Sequence, residues 1–244
     1  MVRSVDRSEG LDQIRPIVQM KGEFMVRFIA VFLIATGCVL ALRDSSAGEK
    51  APELIKGWGQ VEDPDGDCKI SAKEGKVTFS IPGGTHDLWP GGGKVNAPRI
   101  LQDVEGDFTV QVKVASSVKP ENGFFRSGTL LIWKDDTTFV RLDSACAHRS
   151  GTNFDFFCYL HVFNDKNRLV NEQLRPLKDQ PTDLRLERHD AKVVASFSQD
   201  GGKTWKSFGE KTVDLPRKLR VGVAAVNGTN NPFTVTLEDF KIGK

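Results

Sequence analysis

Apolar and polar side chains alternate with a period of two along most of the chain after about residue 48. In "DFTVQVKV", Phe108, Val110, Val112 and Val114 fall on one face, and Thr109, Gln111 and Lys113 on the other. "TDLRLER" repeats this with Leu184 and Leu186 against Asp183, Arg185 and Glu187. "KVTFSI", "LLIW", "FVRLDS", "FFCYLHVF", "KVVASFS", "LRVGVAAV" and "PFTVTLEDF" are further runs rich in Val, Phe, Ile and Thr, bounded by Gly, Asn, Asp and Pro. Such runs predict strands that are apolar on one side. No stretch carries the 3.6-residue stripe of an amphipathic helix. About a dozen strands with tight connections predict an all-β, two-sheet antiparallel jelly-roll sandwich.

The N-terminal segment breaks the pattern. Arg27 is followed by an apolar run, Phe28 to Leu42, and then by small residues at Ser45 and Ala47. A basic residue, an apolar run of about 15 residues and a small-residue site make a secretory signal. The run is short for a membrane span, which needs about 20 residues. Residues 1–47 are therefore expected to be an N-terminal extension and signal segment, with Met25 an alternative start. Residues 48–244 are expected to be one domain, secreted or periplasmic. "ATGC", ending at Cys38, leaves lipidation of that cysteine as a second outcome.

Charge narrows the partners. The formal net charge is +2, and residues 1–47 contribute one of those positive charges. A nearly neutral domain is not built for nucleic acid or for an anionic membrane surface. Three cysteines follow the signal segment: Cys68, Cys146 and Cys158. An odd number in an exported chain leaves one thiol unpaired. "FVRLDSAC" and "FFCYLHVF" read as neighbouring antiparallel strands joined by "AHRSGTNFD". Setting Cys146 opposite Cys158 predicts a disulfide there and leaves Cys68 free. The same register sets Asp143 against His161 and Arg141 against Phe163, with Tyr159 on the same face. Planar polar groups beside aromatic rings are what sugar-binding sheets present.

A second set of candidate ligand-binding residues lies in "PGGTHDLWPGGGKVNAPRIL", a long Gly-rich loop carrying His86, Asp87, Trp89, Asn96 and Arg99. Long loops in compact domains are often binding loops. The alternative is that Trp89 packs under its own loop, and that the strand face bearing Arg141 is an ordinary solvated one.

Two motifs tempt without carrying chemistry. "DPDGDCKISAKE" has acidic residues at positions 1, 3, 5 and 12 of an EF-hand loop, but Cys68 replaces the Gly at position 6 and no helices flank it. It reads as an acidic turn between edge strands, and no cofactor is expected beyond a weak calcium site at Asp63, Asp65 and Asp67. "SQDGGKTW", Ser198 to Trp205, matches the Asp-box pattern of sialidases and reads as a hairpin turn held by Asp200. There is no pair of carboxylates spaced on one strand for glycoside cleavage. There is also no G-x-S-x-G elbow and no H-E-x-x-H. No catalytic residue or metal ligand is assigned.

"DPDGDCKI", "IPGGTHDLWP", "NAPRILQDVEGDFTVQVKV", "GTLLIWKDDTTFVRLD", "DGGKTW" and "VGVAAVNGTNNPFTVTLEDFKI" together resemble the domain of unknown function of regulation-of-enolase-type proteins, in the concanavalin A-like lectin/glucanase superfamily. The resemblance runs from about Gly57 to Ile242. It implies a two-sheet jelly roll and no established activity. Related exported sandwich domains bind or cleave sugars. The expected function is therefore an exported non-catalytic domain that binds carbohydrate or a surface partner. The alternatives are a hydrolase or lyase of unusual layout using carboxylates such as Asp87 and Asp143, and a structural envelope domain.

Overall fold

The computed structural model describes residues 53–120, 125–150 and 153–244. The expected signal segment and Cys38 lie outside them. The described residues form eighteen strands. In chain order they are β1 (Leu54–Ile55), β2 (Gly59–Glu62), β3 (Lys69–Lys73), β4 (Lys76–Ile81), β5 (Gly84–His86), β6 (Leu88–Trp89), β7 (Lys94–Val95), β8 (Arg99–Glu105) and β9 (Phe108–Val114). They continue with β10 (Phe125–Asp135), β11 (Thr138–Ser150), β12 (Asn153–Asn164), β13 (Asn167–Leu174), β14 (Thr182–His189), β15 (Lys192–Ser198), β16 (Lys206–Thr212), β17 (Lys218–Thr229) and β18 (Phe233–Gly243). The one helical piece among the described residues is a 3-10 turn, Pro90–Gly92.

Two antiparallel sheets stack as a jelly-roll sandwich. One runs β1-β2-β8-β17-β10-β11-β12-β13, with β5 added on β17; the other runs β16-β15-β14-β9-β18-β4-β3. The inward residues of each form one core. In β9 the four apolar positions Phe108, Val110, Val112 and Val114 are buried, while Thr109, Gln111 and Lys113 are partly exposed. They meet Leu130, Ile132, Leu142, Leu160, Val221 and Val223 of the larger sheet.

The larger sheet is also covered on its outer face. A second apolar cluster joins Leu101, Leu131, Trp133, Phe139, Phe163, Ala224 and Val226 to Leu88 and Ala97 of the long loop. The loop, stiffened by the β6–β7 pair, lies on the sheet as a cover. Thus β17 is buried on both faces, and its outward side carries Gly222 and Ala224. A Cβ on Gly222 would lie 1.9 Å from the Ile100 carbonyl oxygen, so only glycine lets β8 approach there.

The β11–β12 register corrects the expected disulfide. Ser144 faces Cys158 and Cys146 faces Phe156, and Cys68, Cys146 and Cys158 are all free thiols. The strands extend into "AHRSGTNFD" as far as Ser150 and Asn153, with an irregularity between His148 and Ser150. This slides the pairing two residues from the one that joins the cysteines. Arg141 therefore faces His161 and Asp143 faces Tyr159. A slip of two preserves which side chains share a face. Arg141, Asp143, Tyr159 and His161 accordingly still share the outer face, and the cysteines the core.

"SQDGGKTW" forms the expected turn. Thr204 N–H donates to Asp200 Oδ1 at 2.9 Å, Ser198 Oγ donates to the same oxygen at 2.7 Å, and Gly201 and Gly202 have φ of 72° and 80°. The Thr204 hydroxyl and backbone hold the Asp200 carboxyl well below the usual aspartate range.

Candidate functional site

The outer face of the larger sheet holds a charged knot under the cover. Arg141, 2% exposed, donates from Nε to Asp143 Oδ2 at 2.9 Å and from Nη2 to Asp143 Oδ1 at 3.1 Å. Its Nη1 reaches up to Asp87 Oδ1 at 3.2 Å and to the Leu88 carbonyl at 3.0 Å. Asp143 also accepts the hydroxyls of Ser127 and Thr129, at 3.0 and 2.5 Å. Burial works against the Arg141 charge, but Asp143 and Asp87 outweigh it and its pKa is raised. All three guanidinium nitrogens of Arg141 and both Asp143 oxygens are hydrogen-bonded, as a buried ion pair requires. The knot clamps the cover to the sheet. Asp87 and Asp143, the carboxylates expected of a hydrolase, are both bound to one arginine.

Of the other loop candidates, Asn96 joins the clamp through Asp87, and the rest make contacts of their own. Asn96 Oδ1 accepts the Asp87 N–H at 3.0 Å, and its Nδ2 donates to Asp65 Oδ2 at 2.6 Å and to the Thr85 carbonyl at 2.9 Å. Arg99 is buried, donates to Glu62 Oε2 at 2.6 Å, and lies 4.6 Å over the Trp133 ring. His86 is buried with Nε2 at 3.0 Å from Asp67 Oδ1. That bond holds the Asp67 carboxyl below its ordinary pKa. Asp63 Oδ2 accepts the Cys68 N–H at 2.8 Å. Trp89 stays 40% exposed, with Arg168 at 4.8 Å from its ring.

Where the cover ends, a row of four rings continues, with Phe125 and Tyr159 half-buried and Phe157 and His161 buried. Tyr159 is half-buried, 3.8 Å from the His161 ring, 5.7 Å from Phe157 and 6.5 Å from the half-buried Phe125. Polar groups from β13 fringe it. The Tyr159 hydroxyl donates to Asn171, and Arg175 bonds Gln173 and lies 4.8 Å over Phe157. His161 is 3% exposed, and neither ring nitrogen has a hydrogen-bond partner. Burial, then the Arg141 and Arg168 charges, push its pKa down to about 2, against a smaller opposing pull from Asn171. It is a neutral ring at any physiological pH.

A second concavity, of about 600 Å³, opens over Asp103, Glu105, Lys134, Lys218 and Arg220, with Trp133 beneath. The Trp133 indole N–H is buried and unpartnered. None of these residues stood out in the sequence. The signal that could have shown them is the unbroken apolar run "GTLLIW", which alternation on one face does not explain.

Of the expected set, the structure brings Arg141, Asp143 and Asp87 into one clamp and joins Asn96 to it through Asp87. Tyr159 and His161 stand together in the ring row. Arg99 belongs with Glu62 and Trp133, His86 with the acidic turn, and Trp89 with Arg168.

A functionally unknown protein from Saccharomyces cerevisiae has a similar structure, with TM-score 0.64 and 15% sequence identity over 76% of this chain and 96% of that one. The GH43 BlXynB protein from Bacillus licheniformis is similar with TM-score 0.55 and 12% identity, over 75% of this chain but 36% of that protein. At these identities the likeness is one of fold. No curated protein matches the sequence. Residues 60–244 match the family described as protein of unknown function, DUF1349, and the chain belongs to that family.

Proposed function

We propose that this protein is an exported, non-catalytic carbohydrate-binding domain of regulation-of-enolase type, acting in the periplasm or outside the cell. The half-buried rings of Phe125 and Tyr159, backed by the buried Phe157 and His161 and fringed by amide and guanidinium groups, carry the reading. Sugar rings stack on aromatic faces through their C–H groups, while neighbouring amides and charged groups bond their hydroxyls. Tyr159, Gln173 and Arg175 supply both kinds of contact at one place, with Trp89 and Arg168 as a second aromatic–cation pair. The state of the carboxylates favours binding over cleavage. A general acid and its partner must reach the scissile bond, whereas Asp143 is fully buried and bonded on both oxygens.

The test is a glycan array followed by affinity electrophoresis of wild type and Tyr159→Ala. The expected result is retention by at least one polysaccharide, weakened about tenfold in the variant, equivalent to ~1.4 kcal/mol. Failure of the wild type to bind across neutral and acidic glycans, or equal binding by Tyr159→Ala, would overturn the reading.

A further inference from the structure

The acidic turn and the base of the cover meet at one point, although 19 residues separate Asp67 from His86. Asp67 Oδ1 lies 3.0 Å from His86 Nε2 and 3.4 Å from Cys68 Sγ, and the donor atoms of these three residues all lie within 4.8 Å of one another. Asp65 Oδ2 is 3.9 Å from the same His86 nitrogen. We propose that Asp67, Cys68 and His86 form a binding site for a zinc-class divalent transition-metal ion, with Asp65 or a water as fourth ligand.

Three observations carry this. The first is spacing. Zinc bonds of about 2.0–2.1 Å to nitrogen, 2.3 Å to sulfur and 2.0–2.2 Å to oxygen, set at tetrahedral angles, put N···O edges at about 3.4 Å and S···O edges at about 3.6 Å. The His86–Asp67 and Cys68–Asp67 separations are already close to those edges, so small side-chain shifts would admit the ion.

The second is donor chemistry. Thiolate plus imidazole selects zinc and its soft neighbours, whereas calcium and magnesium take all-oxygen shells. Of the acidic turn's other carboxylates, Asp63 Oδ2 accepts the Cys68 N–H and Asp65 Oδ2 accepts an Asn96 amide N–H, while Asp63 Oδ1 is buried without a partner.

The third concerns the imidazole. His86 Nε2 faces a carboxylate, and Nδ1 faces the Gly84 carbonyl at 3.4 Å. Both neighbours are acceptors. A neutral imidazole has one N–H, so one nitrogen lone pair must point at an oxygen. A proton or a metal ion at Nε2 resolves this; with a metal there, Nδ1–H donates to Gly84, the arrangement that orients metal-bound histidines elsewhere. On binding, the Cys68 thiol loses its proton to solvent and the metal replaces it between sulfur and Asp67. The ion would tie the β2–β3 turn to the residue preceding Asp87, and so to the cover. The proposal stands apart from the glycan reading.

The experiment is a Co²⁺ titration of the reduced full chain, read by absorption, with Zn²⁺ displacement. One equivalent of Co²⁺ per chain should give a thiolate-to-cobalt charge-transfer band that Zn²⁺ abolishes. Cys68→Ser and His86→Gln should lose or shift it, and Cys146→Ala should keep it. Zn²⁺ should raise the melting temperature of wild type but not of His86→Gln. A wild type with no charge-transfer band, the same band in Cys68→Ser, or stabilisation by Ca²⁺ alone would overturn the assignment.

Discussion

Replacing Arg141 with Met tests what holds the cover on the sheet. The substitution keeps most of the aliphatic stem of a residue that pairs with Leu131 across the strands, and removes only the guanidinium. Four hydrogen bonds go with it: two to Asp143, one to Asp87 and one to the Leu88 carbonyl. Asp143 is left fully buried and without a counter-charge, supported only by the Ser127 and Thr129 hydroxyls. Breaking a buried pair in this way costs about 3–5 kcal/mol. In a domain of this size each kcal/mol moves the melting temperature by about 2–4 °C, so a fall of about 6–20 °C is expected. The double variant Arg141→Met/Asp143→Leu removes the stranded charge. Ser127 and Thr129 can then bond each other, as they already do at 3.1 Å. The double variant should recover part of the loss and be more stable than Arg141→Met alone. Urea unfolding of the wild type, both singles and the double gives the coupling directly. A single variant within about 1 kcal/mol of wild type, or additive losses, would refute the clamp.

Gly222→Ala should cost about 3 kcal/mol or more, because its Cβ would meet the Ile100 carbonyl oxygen at 1.9 Å; Gly243→Ala, with nothing nearby, should unfold in urea like the wild type. Thiol titration in denaturant without reductant should find Cys68, Cys146 and Cys158 all reactive. In the native protein Cys146 and Cys158 should be silent, since burial pushes the Cys146 thiol up to about 12 and that of Cys158 well above its ordinary value. His161 is neutral in the fold but titrates near 6.5 when unfolded, so its share of stability is complete above that pH and lost as pH falls toward about 2. Urea midpoints between pH 7 and 4.5 should therefore fall more steeply for wild type than for His161→Phe, by up to ~1.4 kcal/mol per pH unit, and parallel curves would contradict the burial.

Strands with one wet face were legible. "KVTFSI" is β4 to the residue, and the inward set of "DFTVQVKV" is the buried set. Register was legible only as parity. Period-two patterning says which side a residue takes, but the hairpin tip sets how far the strands slide. The slide of two residues cost the disulfide and the Asp143–His161 pair. Edge strands such as β13, "NRLVNEQL", and β16, "KSFGEKT", bury too little to leave a pattern. The cover did leave one. "LLIW" and "LRVGVAAV" are apolar at consecutive positions, which one buried face does not require.

That cover changes what the outer-face residues can do. Facing outward and facing solvent coincide in an open sandwich, and the parity argument for Arg141, Asp143, Tyr159 and His161 depends on the first alone. Here Leu88 and Ala97 lie over the sheet, and the same four residues divide by position along the strands. Arg141 and Asp143 fall beneath the loop, where a charge is tolerated only if fully paired, and they became a clamp. Tyr159 falls beyond it, next to the last strand of the sheet, where a hydroxyl and a ring face can both be offered. The β13 side chains Asn171 and Gln173 then serve two ends. Their amides interrupt an exposed sheet edge that would otherwise invite pairing with another chain, and they are the groups best placed to bond whatever stacks on Tyr159. On the proposed reading, a ligand of this face is held at the rim, by β12, β13 and the outer side of the loop.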